Sequence, residues 1–142
     1  KKTEARYLRS VVKTIIDPVT YRATLVSEDT TYKSPMISQP DHLVNLTLGY
    51  DYRGFSFRWA MRFSTGIFRN ANYWEPLRAY STDFYRYDLA IKQRLPVDGL
   101  EFFLNINNLT NEREHDLYNH RDFTRYIEDY GRNANLGVRY QF

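Results

Sequence analysis

From Leu43 onward, apolar and polar residues alternate in five runs. In the first, Val44, Leu46, Leu48, Tyr50 and Tyr52 face one way, and Asn45, Thr47, Gly49 and Asp51 the other. The second begins at Phe55 and sets Phe57, Trp59, Met61 and Phe63 against Ser56, Arg58, Ala60, Arg62 and Ser64. The third opposes Tyr85, Tyr87, Leu89 and Ile91 to Arg86, Asp88, Ala90 and Lys92, and the fourth opposes Leu100, Phe102, Leu104 and Ile106 to Glu101, Phe103, Asn105 and Asn107. The last, read back from Phe142, has Tyr140, Val138, Leu136 and Ala134 on one side, with Gln141, Arg139, Gly137, Asn135 and Asn133 on the other. A period of two is that of a strand. The spacing predicts strands over about residues 43–52, 55–67, 82–95, 100–109 and 132–142. Their connections alternate between tight turns (Arg53-Gly54, Pro96-Val97-Asp98-Gly99) and long loops, 68–81 and 110–130. This is the plan of an antiparallel up-and-down meander.

The apolar sides of these five runs contain no charged residue, whereas the opposite sides carry charge freely. A lipid-facing sheet has a physical reason for that asymmetry, since an Arg or Lys facing hydrocarbon at the bilayer midplane costs about 2–4 kcal/mol. Aromatic residues cluster at the run ends, with Tyr50, Tyr52, Phe55, Tyr140 and Phe142 toward one side and Phe63, Tyr85 and Tyr87 toward the other. Leu46, Met61, Leu89, Leu104 and Leu136 lie between them. Rings at both ends with aliphatic residues between them are the layout of interfacial girdles. The fold class expected is therefore all-β, the last strands of a transmembrane β-barrel. The competing reading is a soluble barrel or sandwich that buries the same face in a protein core.

Composition agrees with a barrel wall. Of 142 residues, 13 are Tyr, 9 Phe and 2 Trp, yet the mean hydropathy is −0.65. No run approaches the roughly 18 apolar residues of a membrane helix, and Leu8 to Ile16 is too short and interrupted for a signal-peptide core. With no cysteine, disulfides and thiolate metal sites are excluded. The net charge of +3 is spread along the chain, which gives no nucleic-acid footprint.

Residues 1–40 read in two ways. Leu8, Val11, Val12, Ile15 and Ile16 fit a helical stripe, but Tyr7–Ile16 and Tyr21–Thr31 around Asp17-Pro18-Val19-Thr20 also form a hairpin rich in Val, Ile, Thr and Tyr. The hairpin is the favoured reading, as the top of a preceding strand and its external loop. Five strands cannot close a membrane barrel, whose narrowest single-chain forms need about eight. The chain is therefore expected to be a portion of a larger barrel.

Three motifs in order carry a resemblance. Gln39-Pro40-Asp41-His42 leads through Asn45-Leu46-Thr47-Leu48-Gly49-Tyr50 to Gly54-Phe55-Ser56. Asn107-Asn108-Leu109-Thr110-Asn111 follows, and Tyr130-Gly131-Arg132 with Leu136-Gly137-Val138-Arg139-Tyr140-Gln141-Phe142 completes the set. Over about residues 34 to 142 this resembles the C-terminal end of TonB-dependent outer-membrane receptors, most closely in the wording of the Bacteroidetes branch. The resemblance implies a 22-stranded barrel around an N-terminal plug and import driven by TonB. The implied partners are the rest of the barrel with its plug, TonB through the N-terminal part, the lipid bilayer and, through Val138, Tyr140 and Phe142, the barrel-assembly machinery. A surface lipoprotein is a further candidate. The location implied is the bacterial outer membrane, with this chain supplying wall and outer loops rather than the gate.

On the inward side Arg58, Arg62, Arg86, Lys92, Arg94 and Arg139 outnumber Asp51, Asp88 and Glu101. Such a wall attracts anionic cargo or grips a plug, although cross-strand pairing among Arg86, Asp88 and Lys92 is the plainer expectation. Phe84 and Phe103 break the polar rule, which suggests packing against a plug or a bulge that flips the phase. Selectivity is expected in the loops, where Asn72, Tyr73, Trp74, Arg78, Tyr118, His120 and Arg121 are candidate cargo contacts. Glu114-His115-Asp116 and His120-Arg121-Asp122 offer metal-ligand types, but their spacing matches no zinc or catalytic site. His42 reads as a structural residue at a strand start. No phosphate loop, nucleophile elbow or enclosed acid pair is present, so neither a catalytic residue nor a cofactor is expected. The function expected is non-enzymatic import of a nutrient such as a siderophore, glycan or peptide. The competing classes are a passive porin, an adhesin barrel and an outer-membrane barrel enzyme.

Overall fold

Arg53 and Gly54 both take positive φ, 44° and 83°, the combination that a two-residue type I′ hairpin turn requires. The turn sets Tyr52 opposite Phe55 and carries an unbroken register up to Leu43 opposite Ser64. In the computed structural model, which describes residues 3–119 and 123–142, the strands are β1 (Glu4–Ile16), β2 (Ala23–Pro35), β3 (Leu43–Tyr52), β4 (Phe55–Ser64), β5 (Phe68–Asn70), β6 (Ala79–Ser81), β7 (Phe84–Arg94), β8 (Leu100–Asn107), β9 (Glu114–Tyr118), β10 (Thr124–Glu128) and β11 (Asn133–Tyr140). Among the described residues a 3-10 turn at Glu75–Leu77 is the sole helical element.

All pairing is antiparallel, in three sheets. The largest has the order β11-β8-β7-β4-β3, the meander anticipated from the alternation. A four-stranded sheet, β10-β9-β6-β5, repeats the neighbour order of β11-β8-β7-β4, so each of its strands prolongs one strand of the larger sheet past a break. The expected loops 68–81 and 110–130 thus contain short strands, and the expected 55–67 strand stops at Ser64. The cause of the break is local. The Gly66 N–H donates to the Asp83 carboxylate (2.7 Å) and the Ile67 N–H to the Ser81 hydroxyl (2.8 Å). Side chains here replace the regular ladder. A Cβ on Gly66 would lie 2.5 Å from the Ser81 carbonyl oxygen, so only glycine permits this approach.

Residues 4–35 form the hairpin β1-β2, with a continuous register from Glu4 opposite Pro35 to Ile16 opposite Ala23. Its base docks on the upper sheet, where Tyr7 meets Phe68 edge-on (5.7 Å between centroids) and the Ser38 N–H donates to the Phe68 carbonyl (2.9 Å). The far half projects away, leaving Ile15, Ile16, Val19, Tyr21 and Leu25 exposed.

Among the described residues the buried apolar set is Phe68, 2% exposed, and Ala79, 0%. Both belong to the upper layer. Within the five strands of the large sheet the one buried residue is Ser64, on the polar side. Its apolar side stays open, with Leu48 54% and Leu136 69% exposed on the two edge strands, while β4, β7 and β8 are half-covered by their lateral neighbours. Close neighbours of each strand are the strands it pairs with, and among the described residues no second layer covers the apolar side of the large sheet. A sandwich would need such a second layer.

The hairpin tip supplies a pH test. The Asp17 carboxylate accepts the Val19 N–H (2.8 Å) and the Thr20 N–H (3.2 Å), and these donors hold its pKa below the ordinary 3.8. A depressed folded value stabilises the turn above the unfolded value, and that contribution is lost as pH falls through the folded one. Amide exchange at Val19 and Thr20 is therefore expected to be flat above about pH 4, after correction for intrinsic rates, and to accelerate below it. Asp17→Asn is expected to abolish the step, and an unchanged profile in that variant would refute the assignment.

Candidate functional site

Two regions gather the polar chemistry: the polar side of the large sheet and the layer beyond its break. On the sheet, Arg58 lies directly opposite Gly49. Without a side chain at Gly49, the guanidinium folds flat across the strand, donating to the Phe57 carbonyl (2.8 Å) and to Asp51 (2.5 Å). Arg86 pairs with Asp88 at 3.0 Å. Arg58 is thus neutralised across the β3-β4 pair, and Arg86 by Asp88 on its own strand β7 rather than across strands. Arg62, which faces Arg86 across β4-β7, and Lys92 form no ion pair with a described residue. At the turn end Glu101 sits opposite Arg94 on one side and Arg139 on the other, and none of the three makes an ion pair within 4.0 Å with a described residue. The wall retains a cationic bias at Arg62, Lys92, Arg94 and Arg139.

Phe103 points to the polar side without a bulge, since the register is unbroken across both β7-β8 and β8-β11. The phase-flip alternative does not apply there. Its ring occupies the space over Gly137, where a Cβ would come within 2.6 Å of it, and Arg139 flanks it at 5.9 Å. Phe84 lies opposite Ser64 at the top of the sheet, also within an unbroken register.

Asn108 ties three strands together at the break. With φ at 55° and 6% exposure, its amide donates to the Glu112 and Gly131 carbonyls (3.0 Å each), and its oxygen accepts the Glu112 N–H (2.8 Å). Its own N–H reaches Asp88 (2.9 Å). The Asn107–Asn111 and Tyr130–Arg132 motifs, distant in sequence, meet at this residue. His42 likewise acts through its backbone, exchanging bonds with Thr65 (3.0 Å each) at the start of β3.

In the outer layer the candidate contacts divide. The Asn72 carboxamide accepts the Trp74 N–H (2.8 Å), and the Tyr73 hydroxyl donates to Asp29 of the hairpin. Arg78 is buried, its guanidinium 3.4 Å from the Tyr32 ring centroid, with Nε on the Asn72 carbonyl (3.3 Å) and Nη1 3.8 Å from Glu75. Tyr73 and Arg78 thus fasten the segment to the hairpin, Asn72 bonds within the segment, and Trp74, 50% exposed, is the one presented outward. Tyr118 pairs with Ala79 in β9-β6, one strand away. His120 and Arg121 lie outside the described residues. Burial pushes the Tyr32 hydroxyl pKa up, opposed by the Arg78 cation. Sequence reasoning did not single out Arg9, Tyr32 or Asp29, because nothing in the local pattern of 1–40 signals a contact with 71–78.

Of the metal-ligand types in the second loop, Glu114, His115 and Asp116 are otherwise engaged, and His120 and Asp122 lie outside the described residues. Glu114 and Asp116 pair with Arg69 (3.4 and 3.5 Å), Asp116 also with Arg125 (3.5 Å), and the His115 ring shares a hydrogen bond with the Thr124 hydroxyl (3.0 Å). Among the described residues no group of three ligating side chains is placed to hold a metal. Beside them, the Glu128 carboxylate pushes the Tyr130 hydroxyl up to about 12. No family model, curated protein or solved structure matches the chain.

Replacing Asn108 by Ala leaves the Gly131 and Glu112 groups unpaired and places Ala at a positive φ. The expected loss is about 1–3 kcal/mol, read as a lowered denaturant midpoint. Asn108→Gly keeps the backbone freedom but not the bonds, so a midpoint equal to that of the native chain would show that the bonds do not matter.

Proposed function

We propose that the chain is the C-terminal part of a TonB-dependent receptor barrel in the bacterial outer membrane, a non-enzymatic importer of a nutrient. The observation that carries the reading is the uncovered apolar side of β3, β4, β7, β8 and β11 in a meander with no second layer. Water would penalise that surface, whereas acyl chains solvate it. Phe55 and Phe63 lie eight residues apart on β4, about 26 Å along the strand, on the order of the apolar band of such barrels. The rings cluster where interfaces would fall: Tyr50 with Tyr52 and Phe55 at one end (6.4 and 6.3 Å), Phe63 with Tyr85 at the other (4.7 Å). The side facing away from lipid carries the charges and would line the lumen. The layer beyond the break would meet the cargo outside. The 22-stranded closure, plug, TonB coupling and barrel-assembly recognition through Val138, Tyr140 and Phe142 belong to this proposal through the resemblance of the ordered motifs.

The test exchanges charge between the two sides of one strand. Leu104→Arg on β8 is expected to cost about 2–4 kcal/mol in a bilayer and to reduce sharply the chain recovered folded and carbonate-resistant in outer membranes. Asn105→Arg, one residue on and facing the other way, is expected to leave recovery near the native level. Equal recovery of the two variants would remove the lipid-facing assignment.

A further inference from the structure

The seam between the β1-β2 hairpin and residues 71–78 contains donors without acceptors. Arg78 is 6% exposed, and with Nε and Nη1 engaged as described, its Nη2 is buried without a hydrogen-bond partner. The Tyr32 hydroxyl and the Arg9 Nε are buried and unpartnered as well. Tyr32 lies under the Arg78 guanidinium. Arg9 stands beside Tyr32 on the same hairpin face, because Tyr7 pairs with Tyr32 and Arg9 with Thr30, which makes Arg9 and Tyr32 diagonal neighbours. The seam thus combines two guanidiniums and a phenol. Among the described residues the carboxylate nearest Arg78, Glu75, is 3.8 Å away, and Arg9 makes no ion pair within 4.0 Å.

Burying polar hydrogens without acceptors costs free energy, the more so on charged groups. Three such donors at one seam form a set whose complement is an acceptor-only group of negative charge. Guanidinium N–H groups and a phenol are the donors that carboxylate, phosphate and sulfate oxygens take. We propose that Arg9, Tyr32 and Arg78 form a binding site for an oxyanion group at this seam. The site stands apart from the membrane-facing sheet and goes beyond the import reading without depending on it. An anion bound there locks the hairpin to the 71–78 segment and fixes the direction in which Trp74 is presented.

Amide exchange of residues 71–78 reads the site locally in the full chain, held in phosphatidylcholine vesicles. At constant ionic strength, sulfate, phosphate or acetate in place of chloride is expected to slow exchange by about tenfold at ten times the Kd, since protection scales with 1 + [L]/Kd. Vesicles that also contain phosphatidylglycerol, without added oxyanion, separate a headgroup from a dissolved ion as the source. Protection in either arm supports the site, and protection in neither overturns it. Tyr32→Phe keeps the ring under Arg78 and removes one orphaned donor. It is expected to weaken the anion response at least threefold while leaving exchange in chloride no faster than in the native chain. Arg9→Gln is expected to weaken the response likewise. A response unchanged in both variants, or faster exchange of Tyr32→Phe in chloride, overturns the proposal.

Discussion

The constraint from which the rest follows is that the large sheet is a single layer. In an ordinary domain, burial of apolar side chains between layers supplies the main driving force, and here, among the described residues, that burial reduces to Phe68 and Ala79 in the upper layer. What orders the five long strands is the backbone ladder itself, continuous in register from β3 through β11, together with lateral contacts such as Trp59 stacked on Tyr87 (5.7 Å). A ladder of that kind gains most where water does not compete for its groups. The same condition solvates the open apolar side. On the proposed reading, one apolar environment would satisfy both the backbone ladder and the open side chains.

Beyond the break the logic reverses. The upper strands are three to five residues long, too short to be held by alternation, and charge takes over. Asp116, nearly buried, bridges Arg69 and Arg125 across the layer, and Arg113 holds Asp129 at 2.8 Å. Next to them the hairpin is pinned by Tyr73 on Asp29 and Arg78 on Tyr32. An upper layer built this way is polar and specific in its pairing, and Trp74 emerges from a segment tied down on either side by Tyr73 and Arg78. A ligand meeting Trp74 encounters a ring on an already ordered segment, which lowers the ordering cost of binding.

How much of this was legible in the sequence follows from the same division. The runs containing Leu46, Met61, Leu89, Leu104 and Leu136 could be read because a strand with two different environments must alternate. The β1-β2 hairpin could be read from its β-branched composition and Asp17-Pro18. The upper strands could not: Phe68–Asn70 and Ala79–Ser81 have too few residues to show a period, and both the β5-β6 and β9-β10 pairings contain register shifts. Nor could the burial of Arg78, which in sequence is one more polar loop residue; its partner Tyr32 comes from a distant hairpin. Asn108 is intermediate. The motif around it was visible, but its role as a four-bond junction depends on Gly131 and Asp88 arriving beside it.

Two glycines show how the polar side of the large sheet stays flat. Gly49 lies opposite Arg58 and Gly137 opposite Phe103, and in both cases the large side chain occupies the space a Cβ would fill, at 3.1 and 2.6 Å. A strand glycine weakens its own strand, so neither is there for local stability. With any other residue across the ladder, the Phe103 ring would have to move off Gly137, and the Arg58 guanidinium would have to yield slightly over Gly49. Laid flat, Arg58 reaches Asp51 and Phe103 covers bare backbone, and both stay within the thickness of the wall. The positions that break the alternation rule are therefore those where the sheet accommodates a large group without projecting it. On the proposed reading, that arrangement suits a surface past which something must move or against which another body must fit.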